Sequence, residues 1–211
     1  DRYVPLAGLS ATYSTRMGER HTYTLEDGSL LTLNARSAAD VRFDDTQRTI
    51  VLRQGGLYAE SKPDLRPFIV RTRYGDVAAG PSRLAVNQFD AYAVASAIEN
   101  ALTLRTAHGR TLAVPPASSA AFDMDHAWAR DDAADASWRN GILSVRDARL
   151  DEVITQLRAY QPGLIRLSSQ AAALRVFGVF PLDDPRRTLQ AMAETLPIRV
   201  QRYGPWLTVV D

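Results

Sequence analysis

The chain has no cysteine among its 211 residues. That excludes disulfides, thiolate metal sites and cysteine nucleophiles, and leaves the compartment undecided. Lysine is almost missing as well: Lys62 stands alone against 24 arginines, a bias read as coding rather than function. No apolar run approaches the roughly 18–20 residues of a membrane span, and no signal peptide opens the sequence. Charge of one sign is lacking too, since the formal net charge is +1; no global field draws nucleic acid or acidic lipid.

Enzymatic signatures are equally scarce. There is no G-x-S-x-G turn, and Gly55-Gly56 is followed by neither a Lys-Ser/Thr pair nor a helix, so it reads as a hairpin turn. His21, His108 and His126 lie far apart; Asp123-x-Asp125-His126 is the one local cluster that resembles the start of a metal site, and acidic linkers account for it more simply. No basic run is interleaved with aromatics. The expectation is no catalysis, no metal, no cofactor, no nucleic acid and no small-molecule substrate.

What is present is a repeat. In Trp138–Tyr160 a short apolar run leads to Asp147, and Leu150, Val153, Ile154 and Leu157 then follow at helical spacing. Asp147 is the expected cap, and Tyr160-Gln161-Pro162-Gly163 the stop. Arg175–Leu196 repeats this, with Asp184 as cap, Pro185 at the first helical position, and Leu189, Met192 and Leu196 as the stripe. Strands are predicted at Leu164–Leu167, Ile198–Arg202 and Trp206–Val210. Two strand–helix–strand units in tandem make a small α/β domain over residues 138–211.

Upstream, from Tyr3 to about Phe122, short alternating runs are separated by turns such as Glu26-Asp27-Gly28-Ser29 and Ala107-His108-Gly109. This predicts an all-β domain of stacked hairpins over residues 1–122. Residues 123–137, acidic and alanine-rich without alternation, are expected to be a linker. The predicted whole is a β-rich, two-domain chain, and one that starts at Asp1 without a methionine reads as part of something longer.

Binding has better support than chemistry. So small an α/β sheet must leave edges unpaired, and an open edge accepts a partner's strand. Trp138, Phe177, Phe180 and Trp206 are the candidate anchors, with Arg139 and Arg175 as a polar rim; core packing is the competing reading for most of the aromatics.

The motifs carry a resemblance. Gly18-Glu19-Arg20, Leu25 to Ser29, Leu33-Asn34-Ala35 and Ser37 resemble the opening of the periplasmic part of FecR/PupR-type anti-sigma regulators. So do Arg48-x-Ile50-x-Leu52-x-x-Gly55, Tyr58-x-Glu60 and Arg66-Pro67-Phe68-Ile69-Val70. Trp138-Arg139-x-Gly141-x-Leu143, Leu150-x-Glu152-Val153 and Gly178-Val179-Phe180 with Asp183-Asp184-Pro185 are similar to the family's C-terminal portion. The resemblance implies a single-pass inner-membrane regulator of which this is the periplasmic, C-terminal sensor. Its implied partners are the signalling domain of an outer-membrane TonB-dependent siderophore transporter, a sigma factor bound by the missing cytoplasmic part, and a site-specific periplasmic protease. It also implies that residues 138–211 form a secretin/TonB short N-terminal (STN) domain, two βαβ units. A structural assembly module of an envelope complex, without a signal, is the alternative. Several relatives cleave themselves at a Gly-Thr bond; the equivalent here is Gly80-Pro81-Ser82, where Pro81 has no hydroxyl, so the expectation is an inactive site.

Overall fold

Strand β5 (Arg48–Glu60) runs for 13 residues and belongs to two layers at once. Before it come β1 (Tyr13–Ser14), β2 (His21–Thr24), β3 (Leu30–Leu33) and β4 (Ala38–Phe43). After it come β6 (Phe68–Thr72), β7 (Gly75–Ala79), β8 (Arg83–Gln88), β9 (Ala93–Ala97), β10 (Leu102–Thr106), β11 (Thr111–Val114), β12 (Ser118–Phe122) and β13 (Ala127–Ala133). These elements come from a computed structural model that describes residues 11–133 and 135–211, with the backbone alone for 131–133. The expected start of the β domain at Tyr3 lies outside the described residues.

The first half of β5 pairs with β4 and, in parallel, with β6; its second half pairs with β3 and β8. The change of layer falls at Gly55-Gly56. Gly55 has φ +79°, and a β-carbon there would clash with Ser37; one on Gly56 would clash with the Asn87 side-chain oxygen. The two glycines are not the hairpin turn expected above, because β5 runs through them as one strand. They sit where one strand changes layers, Gly55 against the Ser37 backbone and Gly56 against the Asn87 side chain.

Strand order from β11 through β5 to β13 makes one sheet that folds over, and β11 packs against β12 and β13 so that its ends approach each other. Leu31, Leu33, Ile50, Leu57, Phe68, Val70, Leu84, Leu104 and Phe122 from both halves form a single apolar core. Alternation along β6 and β10 supplies Phe68, Val70 and Leu104, and β5, buried along much of its length, supplies Ile50 and Leu57.

Residues 123–137 are not simply a linker. Asp123 accepts from the N–H groups of Asp125 (2.8 Å) and His126 (2.6 Å), closing a tight turn, and β13 then pairs antiparallel with β12. The ladder is made by backbone groups, so it needs no apolar alternation to form, and none marks it in the sequence.

The chain divides into a unit ending at Ala136 and a second unit, Ser137–Asp211. The second opens on a 3-10 turn (Ser137–Asn140) and continues with β14 (Ile142–Arg149), α1 (Leu150–Leu157), β15 (Leu164–Leu167) and α2 (Ser169–Ala172). It ends with β16 (Arg175–Pro181), α3 (Pro185–Thr195), β17 (Val200–Tyr203) and β18 (Leu207–Val210). The duplicated strand–helix–strand order is present, but each repeat is split between two sheets. β14 pairs antiparallel with β16, while β15 lies parallel to β18, which pairs antiparallel with β17. α3 packs against β16 of one sheet and β17 of the other. The stripes bury Leu150, Val153, Ile154 and Leu157 in α1, and Leu189 and Met192 in α3.

Asp184 caps α3 as expected, accepting from Arg187 N–H at 3.1 Å, with Pro185 first in the helix. Asp147 does not cap α1. It sits at φ +58° in a bulge of β14, and its carboxylate lies 3.7 Å from Arg175; Arg149 occupies the cap position, where its side chain makes no capping bond and pairs with Asp151 instead. The bulge displaces the helix start by two residues.

Candidate functional site

The period of two along β16 decides which side chains meet solvent. Val176 is buried, Phe177 is 63% exposed, and Val179 is 67% exposed. Across the ladder Ile142, 38% exposed, faces Pro181, so Ile142, Phe177 and Val179 make an apolar strip on one outer face. Phe180 has the other parity and is half-buried, its ring tip 2.9 Å from where a β-carbon on Gly178 would lie. Arg175, at the far end of that strand, donates from Nη1 to the Asp147 carbonyl at 2.9 Å.

The second sheet exposes another row. Leu164, Leu207 and Tyr203 are in register across β15, β18 and β17, and Trp206 stands in the turn beside them. Tyr203 and Trp206 are among the most exposed large apolar side chains of the unit. Gly163, at φ +85°, lies against the Trp206 backbone, fixing the base of that turn.

Trp138 is elsewhere. It is 3% exposed in the 3-10 turn, and its indole nitrogen is buried without a hydrogen-bond partner among the described residues. It packs in the interior and is no surface anchor, because a large ring at the start of so small a unit contributes most by filling its core. Arg139 beside it is exposed. The six proposed interface residues are thus dispersed: Phe177 and Arg175 on one sheet, Trp206 in a turn of the other, Arg139 exposed in the 3-10 turn, and Trp138 and Phe180 turned inward. Ile142, Val179, Leu164 and Tyr203 were missed. Parity along the strand marks Val179 as Phe177's neighbour and separates Phe180 from it.

In the β unit, Arg48 is wholly buried. It reaches Asp27 Oδ2 at 2.7 Å, donates to the carbonyls of Lys62 and Arg66 at 3.1 Å, and its guanidinium carbon lies 5.3 Å from the Phe68 ring centroid. Burial pushes the Asp27 carboxyl up, but bonds from Ser29 and Arg48 outweigh it and hold the group below its usual range. This cluster ties the β2–β3 turn to the segment 61–67, which carries fully exposed Leu65.

The site equivalent to self-cleavage lies between β7 and β8. Ser61 Oγ donates to the Gly80 carbonyl at 2.8 Å and accepts from Ser82 N–H at 2.9 Å. Ser82 is buried, its hydroxyl receiving the Asn100 N–H at 3.3 Å. At the β12–β13 turn, Asp123, Asp125 and His126 gather within 4.8 Å, and His108 Nδ1 lies 2.7 Å from Asp125. The turn's own bonds hold Asp123's carboxyl below its usual range, the N–H groups of His126 and Asp125 being the leading causes.

A core-sharing β unit followed by a duplicated α/β unit is a fold also seen in solved structures. Two crystal structures of a "putative anti-sigma factor" from Parabacteroides distasonis ATCC 8503 share it. One has TM-score 0.83 and 21% identity over 94% of this chain and 97% of that one. The other has TM-score 0.82 and 22% identity over 94% and 96%. Residues 11–103, most of the β unit, match the family model described as FecR protein, the family that the motifs from Gly18 to Val70 resemble. No curated protein matches the sequence.

Proposed function

We propose that the chain is the periplasmic sensor portion of an anti-sigma regulator whose α/β unit docks the signalling domain of a TonB-dependent siderophore transporter. The FecR match over residues 11–103 and the fold shared with the P. distasonis chains support the regulatory class. The strand–helix–strand duplication in 137–211 supports an STN-like reading of the second unit. On this reading the protein works by binding, and a sigma factor receives the signal through a cytoplasmic part beyond this chain.

One observation carries the docking role: the smaller unit exposes Ile142, Leu164, Phe177, Val179, Tyr203 and Trp206, on sheets of only two and three strands. Exposed apolar rows beside unpaired strand edges are what strand-adding partners use. Titration calorimetry of the chain against the signalling domain of its cognate transporter tests this. The expected result is a saturable one-to-one heat; none at micromolar protein contradicts it. Concentration-dependent self-association without that heat would favour an assembly module instead.

A further inference from the structure

The turn that carries Tyr203 and Trp206 also forms one wall of a cleft in the second unit. Arg202 on β17 and Thr208 on β18 are cross-strand partners. Arg186, in the first turn of α3, and Gln161, just after α1, line the same cleft, over an apolar floor of Leu189 and Val200. The enclosed space is about 30 Å³, room for one or two waters and so for a carboxylate head rather than a whole small molecule.

Its polar groups are unused. Gln161 and Thr208 are each 8% exposed, yet neither side chain has a hydrogen-bond partner among the described residues. Arg186 and Arg202 likewise make no ion pair there, and no carboxylate lines the cleft. Some arginines elsewhere are matched, Arg48 with Asp27, Arg66 with Asp64, Arg71 with Asp76 and Arg149 with Asp151. Two guanidiniums, an amide and a hydroxyl facing a common space, with the positive end of α3 adjoining, form the donor set of a carboxylate site.

We propose that this cleft binds a carboxylate, presented by an acidic side chain of the protein that docks on the α/β unit. The source of the carboxylate rests on the docking reading given above; the cleft's chemistry does not. Arg186 and Arg202 supply the counter-charge, and Gln161 and Thr208 orient the oxygens. The unit's arginine excess, 10 against 7 acidic residues over 138–211, gives the complementary sign.

Two measurements test it on the 211-residue chain. In the first, arginine Nε–H and glutamine side-chain NMR signals are followed while N-acetylglutamate is added. Saturable shifts confined to Arg186, Arg202 and Gln161, and lost in an Arg186→Gln/Arg202→Gln variant of unchanged melting temperature, are expected. Shifts spread equally over the exposed Arg146, Arg166 and Arg199, or tighter saturation by inorganic phosphate, overturn the carboxylate site. In the second, calorimetry compares that double variant and Arg146→Gln with the unaltered chain against the signalling domain. Weakening of at least about tenfold in the double variant alone is expected. Unchanged affinity in the double variant overturns the partner's acidic side chain as ligand. Absence of binding by the unaltered chain overturns the docking reading itself, and the N-acetylglutamate titration then decides the cleft.

Discussion

Arg48 and Asp27 meet at 2.7 Å with side chains 1% and 5% exposed, an ion pair sealed inside the β unit. The pair joins three segments distant in sequence: the β2–β3 turn, the start of β5 and the loop before β6. Removing one partner leaves the other charge buried and uncompensated.

Arg48→Met is therefore expected to destabilise the β unit by about 3–5 kcal/mol, read as a lower midpoint in urea denaturation. Asp27→Asn, which keeps a hydrogen-bonding side chain, is expected to cost less. Equal stability of Arg48→Met and the unaltered chain contradicts the pinning role.

Acid should loosen the same unit. Asp27 and Asp40 both titrate below the usual aspartate range when folded; for Asp40, burial opposes the shift and the bonds from Arg53 and Thr12 N–H outweigh it. Carboxyls depressed in this way contribute stability that is complete above the unfolded pKa of about 3.9. That stability is lost as pH falls from there through the folded values. Thermal melts from pH 6 to pH 2.5 should show a decline that begins near pH 4, and a smaller one in Asp27→Asn.

Gly55 and Gly28 share nearly the same φ, +79° and +78°, in different surroundings. A β-carbon at Gly28 meets nothing within 4 Å, whereas at Gly55 it lies 2.8 Å from the Ser37 α-carbon. Both alanine variants carry the left-handed backbone cost of about 1 kcal/mol. Gly55→Ala is expected to lose clearly more, because backbone must move. Equal denaturation midpoints for the two variants would show that the layer change in β5 tolerates a side chain.

Intact-mass spectrometry of purified protein, fresh and after prolonged incubation, is expected to show one full-length species. Pro81 supplies no hydroxyl next to Gly80, and the buried Ser82 hydroxyl receives Asn100 N–H. A fragment ending at Gly80 contradicts the inactive-site expectation.

The helices were legible because their signals are local. The Asp184-Pro185 pair and the Leu189, Met192 spacing specify α3 without any tertiary partner. Strand partners were not legible, since pairing depends on distant backbone: nothing near Gly55 announces Ser37, and nothing in Ala127–Ala133 announces β12. The same limit governed the surface. Phe177 and Phe180 look alike in composition, and only their place on β16 separates an exposed ring from a half-buried one. The cleft escaped notice because Gln161, Arg186, Arg202 and Thr208 come from four elements and share no spacing.

Amide hydrogen exchange of the chain with and without the transporter's signalling domain tests the docking account most directly. The account predicts slowed exchange on complex formation in the second unit, on the edge strands β15, β16 and β17 and around Trp206, with the β5 core unchanged. Protection confined to residues 11–133, with 137–211 exchanging as in the free chain, would contradict it.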